Sequence, residues 1–246
     1  MSGPATAAAG LELMRTGRLA GLVRRASEHT TGELGGQRLL PVLPELRALL
    51  PVGGLRRGST LAVQVGPQWT VGATSLLLAL LAGASRAGSW CAVVGVPTLG
   101  AAAAAELGVV LDRLALVPNP GPDWATVVGV LLDGVDIVVA AAPGPVAPAV
   151  ASRLAARARH RGTVLVSYGP WERPDLTLDA VHGAWHGLGA GRGRLRCRQL
   201  TVTARGRGAA GVPRRVDVWL PRLSGVLPPV TGVPQAPEPP ALTLVG

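Results

Sequence analysis

The sequence contains no lysine, and this absence sets the first limit on its function. All 24 residues counted as Lys or Arg are arginine, and with 14 acidic residues they give a formal net charge of +10. Any mechanism that needs a lysine amine, such as Schiff-base formation, is therefore excluded. Phenylalanine is also missing, and there is one tyrosine and one isoleucine. This bias is typical of a high-GC genome, so part of the basic charge reflects codon usage.

Cysteines and long apolar runs are also scarce. The two cysteines, Cys91 and Cys197, are too few for a disulfide framework or a zinc site. The N-terminal sequence lacks the apolar core of a signal peptide. The most apolar stretch, 124–142, carries Asp133 and Asp136 in its middle and falls short of a membrane span. We therefore expect a cytoplasmic protein with no membrane contact.

What is present is an apolar centre between two weakly apolar ends. The 246 residues are 48% hydrophobic, which is enough for one α/β domain with a sizeable core. We predict a partly helical N-terminal arm over 1–35 and one domain over 36–222. The proline-rich stretch 223–246 is predicted to be a disordered tail.

Short β-rich runs alternate with helical runs through the centre of the chain. This alternation predicts a mostly parallel sheet with helices on both faces. The predicted strands are 60–65, 90–96, 114–117, 136–142 and 163–168, and the predicted helices are 74–87, 99–108, 124–134 and 146–162.

A C-terminal antiparallel hairpin is predicted over 192–221, because two strand-like runs flank the glycine-rich segment 206–213. Leu195 and Cys197 share one parity along the first run, whereas Leu200 and Val202 share the other. A bulge or a late strand start near Arg198 would reconcile them.

The junction after the first predicted strand has the position of a phosphate-binding loop but not its sequence. Such a loop presents backbone N–H groups at a helix N-terminus. It needs four residues between two glycines, followed by lysine. Five residues separate Gly66 from Gly72 here, and Ala73 occupies the lysine position, ahead of Thr74 and Ser75. We interpret this as a degenerate phosphate-binding loop.

The other parts of an ATPase are not recognisable either. Asp136 lies at the start of its predicted strand, whereas ligands of parallel sheets collect beyond the carboxyl ends. The predicted strand 90–96 runs into Pro97 and Thr98, so no general base follows it. We expect no ATP hydrolysis and no required cofactor. Weak ATP binding through backbone N–H groups and Thr74 remains open.

Residues Leu49 to Gly169 resemble the core of the RecA recombinases. The resemblance covers the lead-in LLPVGGLRRGSTLAVQVGP, the segment ELGVVLDRLALVPNP and the strand LLDGVDIVVAAAP, in that family's order and spacing. Because the catalytic motifs depart from the family, no ATPase residue is carried over. The combination is most similar to the ImuA-type accessory proteins of bacterial translesion synthesis cassettes. That resemblance implies an ImuB-like polymerase-related partner, an error-prone DnaE-type polymerase and a role in DNA-damage tolerance.

The predicted hairpin is rich in arginine. Arg192, Arg194, Arg196 and Arg198 alternate along one face of its first strand, as a ladder of positive charges. Such a ladder could contact a phosphate backbone or an acidic partner. In a chain without lysine it could equally be a solubilising surface that protects an edge strand. The candidate binding residues are Arg192, Arg194, Arg196, Arg198, Arg205, Arg207, Arg214 and Arg215.

His182 and His186 stand four residues apart, but the sequence around them does not favour a zinc site. Their spacing suits one helix face, but no further ligand completes a motif, and Gly183 and Gly187 argue against a helix. No metal site is predicted.

Three functions follow from these observations. The preferred hypothesis is a non-catalytic scaffold that acts by protein–protein contacts in translesion synthesis, with self-association left open. The alternatives are a DNA-binding protein that uses the arginine-rich hairpin and a cell-division inhibitor of the SulA type.

Overall fold

The computed structural model describes residues 38–65, 72–189, 192–207 and 211–220, with the backbone alone at 181–182, 184–189 and 192–196. The predicted N-terminal arm (1–35) and proline-rich tail (223–246) lie outside these ranges. In the described part of the chain, no helix combines the length and the apolar character that crossing a bilayer requires.

Strands and helices alternate along the described chain. The strands are β1 (Leu39–Leu40), β2 (Leu55–Arg56), β3 (Thr60–Val63), β4 (Cys91–Val94), β5 (Leu114–Val117), β6 (Ile137–Ala140), β7 (Val164–Tyr168), β8 (Leu176–Gly189), β9 (Arg192–Gly206) and β10 (Arg214–Trp219). The α-helices are α1 (Ala73–Arg86), α2 (Ala101–Glu106), α3 (Trp124–Leu132) and α4 (Pro148–Arg161), and 3-10 turns occupy Pro44–Leu49 and Leu111–Arg113.

Eight strands form one mixed sheet in the order β10-β9-β8-β3-β7-β6-β4-β5. Every pair from β8 to β5 is parallel, and the β8–β9 and β9–β10 pairs are antiparallel. The predicted fold class, a mostly parallel α/β sheet with a C-terminal antiparallel hairpin, is confirmed. β1 and β2 form a separate two-stranded antiparallel sheet.

Side chains of the parallel strands alternate between two apolar layers, as the period of a strand dictates. On β6, Ile137 and Val139 belong to the layer that contains α1, whereas Val138 and Ala140 belong to the layer that contains α3 and α4. We call these sides the first face and the second face of the sheet. Both faces of its parallel part are therefore covered by helices.

β8 was missing from the sequence prediction, which ended the core of the domain at Gly169. After β7 ends, residues 169–175 lead the chain back to the end of the sheet where the parallel strands begin. From there β8 runs parallel to β3. Trp171 is buried on the second face during this crossing. The run 176–189 has few β-branched residues and three glycines, so its strand signal is weak. Pairing on both sides, with β3 and β9, compensates for that weakness.

The register irregularities in this region belong to the pairing of β8 with β9. The register shifts between Ala180 and His182 and again between His186 and Leu188. The second shift faces β9 just before Cys197, and β9 pairs regularly with β10 from Gln199 to Ala204. Neither shift falls between Cys197 and Leu200, where β9 pairs regularly with β8, so these two residues lie on opposite faces of the sheet and both are buried. The predicted change of parity therefore needs no bulge at Arg198.

α1 is apolar around its whole circumference, and both of its sides are covered. Ten of its 14 residues are buried. The sheet covers one side, and the lead-in 39–55 covers the other, with Leu46 and Leu49 fully buried in the same cluster. Gly83 allows this contact, because a Cβ there would lie 2.5 Å from the Cα of Val42. The helix and the lead-in therefore meet backbone to backbone at this point.

We predict that Gly83→Ala destabilises the protein. The added methyl would collide with backbone atoms, and overpacking of this kind costs about 1–3 kcal/mol, which exceeds the gain of about 1 kcal/mol in helix propensity. Urea unfolding should show a lower midpoint. Gly144→Ala is the matched control, since a Cβ at Gly144 would meet nothing within 4 Å. Equal stability of the two variants would contradict the packing described here.

Candidate functional site

The segment predicted as a degenerate phosphate-binding loop connects β3 to α1 in sequence, and its residues 66–71 lie outside the described part of the chain. Gly66 lies outside the described residues. Gly72 precedes the helix with a φ of 99°, a left-handed conformation that favours glycine. The N-terminus of α1 therefore opens at the edge of the sheet where nucleotides bind in α/β folds.

The surroundings of this helix start are apolar. Ala73, in the lysine position, is buried. Leu200 of β9 packs beside Gly72, and its methyl carbons lie 2.6 Å from the place that a Cβ would take. The sequence from 58 to 85 contains no charged residue. The segment around the loop therefore supplies no cation for a triphosphate and no carboxylate for Mg²⁺.

The hydroxyl of Thr74, at the start of α1, is hydrogen-bonded to another side chain of the same protein. The Thr74 Oγ1 and the hydroxyl of Tyr168 are 2.8 Å apart, and either group can donate. Ser75 is half-buried beside them in sequence. In a working phosphate-binding loop the corresponding hydroxyl binds Mg²⁺. Here it ties the first turn of α1 to the carboxyl end of β7.

Asp136 lies just before β6, at the edge of the sheet where the parallel strands begin, which we call the amino edge. α1 begins at the other edge, where the parallel strands end. Its carboxylate is buried and accepts hydrogen bonds from Arg57 Nη2 at 2.7 Å and from the backbone N–H of Trp90 at 2.9 Å. The Arg57 side chain is 13% exposed. This arrangement joins the segment after β2 to the start of β6, and its role is structural.

We predict that Asp136→Asn lowers the free energy of unfolding by about 3 kcal/mol or more. The substitution leaves the guanidinium of Arg57 buried beside a neutral amide, which is the costly way to break a buried ion pair. Chemical denaturation measures the loss. Asp112→Asn serves as control because Asp112 is exposed. A loss no larger than that of the control would contradict this role.

The predicted arginine ladder divides between the two faces of the hairpin. Arg214 pairs in register with Ala204 on the first face, and its Nη1 donates to the carbonyl oxygens of Ala48 at 3.4 Å and Leu50 at 3.1 Å. Arg198 has the parity of Leu200 on that same face, and burial lowers the pKa of its guanidinium. These two arginines therefore face the core.

Three other arginines of the prediction are exposed. They are Arg205, Arg207 and Arg215. Arg205 pairs with Thr177, and Arg215 pairs with Thr203, so both have the parity of the second face. Arg192, Arg194 and Arg196 lie on β9, and their side chains are outside the description. The ladder is thus not a single surface.

A second group of arginines, which the sequence did not predict, lies at the amino edge of the sheet. Arg56, Arg57 and Arg159 come together with Arg207 around a cleft of about 380 Å³. They are distant in sequence, and only the fold brings them together. Among the described residues, no three His, Cys, Asp or Glu side chains cluster as metal ligands would. His182 and His186 lie on β8, and their side chains are outside the description.

The fold defines a class: a mixed α/β protein with a mostly parallel central sheet, helices on both of its faces and a C-terminal antiparallel hairpin. A family model described as the MT3502 N-terminal domain matches residues 48–173, which is just over half of the chain. The chain belongs to this family.

A sequence relative and a solved structure complete the comparison. The chain is 45% identical over 111 residues to the uncharacterized protein Rv3395c of Mycobacterium tuberculosis, covering 44% of this chain and 54% of that protein. It thus spans about half the length of this curated relative. The crystal structure of the flagellar accessory protein FlaH from Methanocaldococcus jannaschii is similar with a TM-score of 0.49 and 9% identity, covering 74% of this chain and 93% of that chain.

Proposed function

We propose that the chain is a non-catalytic accessory protein of translesion DNA synthesis, of the ImuA type, and that it acts by contacts with other proteins. The observation that carries the proposal is the start of α1. An alanine stands in the lysine position, a leucine packs against the last glycine of the loop, and the Thr74 hydroxyl bonds to Tyr168. Triphosphate chemistry needs charge at these places.

The sequence resemblance supports the more specific part of the proposal. The stretch that resembles the RecA core, Leu49 to Gly169, nearly coincides with the family match over 48–173. On this proposal the partners are an ImuB-like polymerase-related protein and an error-prone DnaE-type polymerase, and the chain works in the cytoplasm. Fold alone does not fix function, so the proposal depends on a genetic test.

We predict that deletion of the gene lowers the frequency of DNA-damage-induced mutation in its host. The intact chain and the Thr74→Ala variant should restore that frequency equally, because neither uses ATP hydrolysis. Purified protein should release no phosphate from ATP above the rate of a buffer blank.

Two results would contradict the proposal. One is an unchanged mutation frequency in the deletion strain after ultraviolet irradiation. The other is ATP hydrolysis by the intact chain that Thr74→Ala abolishes. The Gly144→Ala variant controls for expression in both assays, because it alters no contact within 4 Å.

Direct DNA binding is a second candidate, and the exposed arginines of the hairpin favour it. Arg205 and Arg215 project from neighbouring strands with the parity of the second face. α3 and α4 pack on β3, β4, β6 and β7, and no described residue of β8, β9 or β10 joins their apolar cluster. The arginines therefore occupy a part of the sheet that these helices do not cover.

For this candidate we predict that single-stranded DNA binds less tightly to the Arg205→Gln/Arg215→Gln double variant. The slope of log affinity against log salt should also fall by about 0.7 for each phosphate contact removed. Fluorescence anisotropy at several salt concentrations measures both quantities. Arg153→Gln, an exposed arginine on α4, is the control. Unchanged affinity and slope in the double variant would exclude this surface.

A further inference from the structure

The cleft at the amino edge of the sheet is a built feature of the fold. It lies between the β1–β2 layer, the starts of β3 and β8, and the last turn of α4. Its volume is about 380 Å³, within the usual range of binding pockets. The N-terminus of α1 opens at the other edge of the sheet, so the cleft is separate from the degenerate loop.

Four arginines approach this cleft from three parts of the chain. Arg56 and Arg57 follow one another at β2, Arg159 comes from α4, and Arg207 follows β9. The backbone of Arg159 packs directly on Gly58, where a Cβ would lie 3.2 Å from the Arg159 Cα. This close contact places the end of α4 at the wall of the cleft.

The positive charge of the cleft is only partly neutralised. Arg57 is paired with Asp136, and its Nε is buried with no hydrogen-bond partner among the described residues. Asp175 is the acidic residue of the lining, and its Oδ2 accepts a hydrogen bond from the Thr60 N–H at 2.8 Å. Within the described part of the chain, no ion pair includes Arg56, Arg159 or Arg207. The cleft therefore carries excess positive charge.

Apart from Ser59 and two glycines, the remaining lining is apolar and aliphatic. Val52 stands at the rim with 53% of its surface exposed. Leu50, Leu55 and Leu176 are buried beneath it. None of the described residues that line the cleft is aromatic, so they offer no aromatic platform on which a nucleobase could stack. Guanidinium groups beside an aliphatic wall match a carboxylate next to an aliphatic side chain.

We infer that this cleft binds an acidic segment of a partner protein that also presents an aliphatic side chain. Carboxylates of the segment pair with Arg159 and Arg207, and the aliphatic side chain packs against Val52 and the leucines below it. The inference deepens the proposed accessory function by naming a contact surface, and it rests on that function for the existence of a protein partner.

The test selects ligands without assuming a partner. The full chain is immobilised and used to select from a display library of random short peptides. Enriched peptides should combine Asp or Glu with Leu, Ile or Val. Labelled copies should bind the Arg159→Gln/Arg207→Gln double variant about tenfold more weakly, as expected when charge-assisted contacts are lost. Val52→Asn should also weaken them, which a purely ionic attraction would not predict.

Matched variants keep the result interpretable. Arg153→Gln removes the same charge from an exposed site on α4 outside the cleft, and peptide affinity should not change. Thermal unfolding of the double variant should match that of the intact chain, because both side chains are exposed.

Three results would overturn the inference. They are selection of no acidic peptide, peptide affinity that the double substitution leaves unchanged, and oligo(dT) binding that this substitution abolishes, which would assign the cleft to nucleic acid. The outcome is also separable from the proposed function. If no acidic peptide binds but the deletion lowers mutation frequency, only the assignment of the cleft is wrong. If peptides bind at the cleft but the deletion has no effect on mutation, only the translesion role is wrong.

Discussion

The rest of the structure depends on the burial of α1. A helix that is apolar on all sides must be enclosed on all sides, and the sheet can cover only one of them. The lead-in 39–55 covers the other, with Leu40, Leu46 and Leu49 excluded from solvent in the same cluster. This requirement explains why the lead-in 39–55 packs against the helix and why a glycine stands where α1 meets Val42. It also holds the start of α1 at the edge of the sheet whether or not a nucleotide binds there.

Among the described contacts, the start of α1 is positioned without the help of any charged residue. The helix start is held by apolar packing against Leu200 and by the hydrogen bond of Thr74 with Tyr168. Asp136 precedes β6 at the amino edge of the sheet. Its carboxylate accepts hydrogen bonds there from Arg57 and from the backbone N–H of Trp90. The described contacts at both ends of the strands thus contribute to stability, with apolar packing at the start of α1 and a buried ion pair before β6.

Much of the parallel core could be predicted because its signals are local. β3, β4, β6 and β7 are short, mostly aliphatic and buried runs, β5 is a half-buried aliphatic run, and the helices between them end at or near glycine or polar residues. β8 could not be predicted in this way, since its segment from 176 to 189 contains three glycines and two histidines. Its strand conformation comes from pairing with β3 and β9, which are distant in sequence. The candidate site followed the same rule: the loop at Gly72 and Ala73 was visible in the sequence, whereas the cleft of Arg57, Arg159 and Arg207 required the fold.

The number of arginines in the hairpin predicted a single charged surface, but these arginines are divided between its two faces. In a chain without lysine, arginine also performs the structural work of a planar multiple donor. Arg113 Nη1 donates to the Gly88 carbonyl at 2.6 Å, and Arg157 binds Asp133 through two nitrogens, a hydrogen bond that lowers the pKa of that carboxyl. Arg214 caps two carbonyls of the lead-in in the same way. Because such residues already have partners in the fold, the charge available to a ligand is that of exposed arginines with no ion pair. In the described chain, several of these lie at the amino-edge cleft and on the second face of the hairpin, and others, such as Arg47 and Arg153, lie elsewhere on the surface.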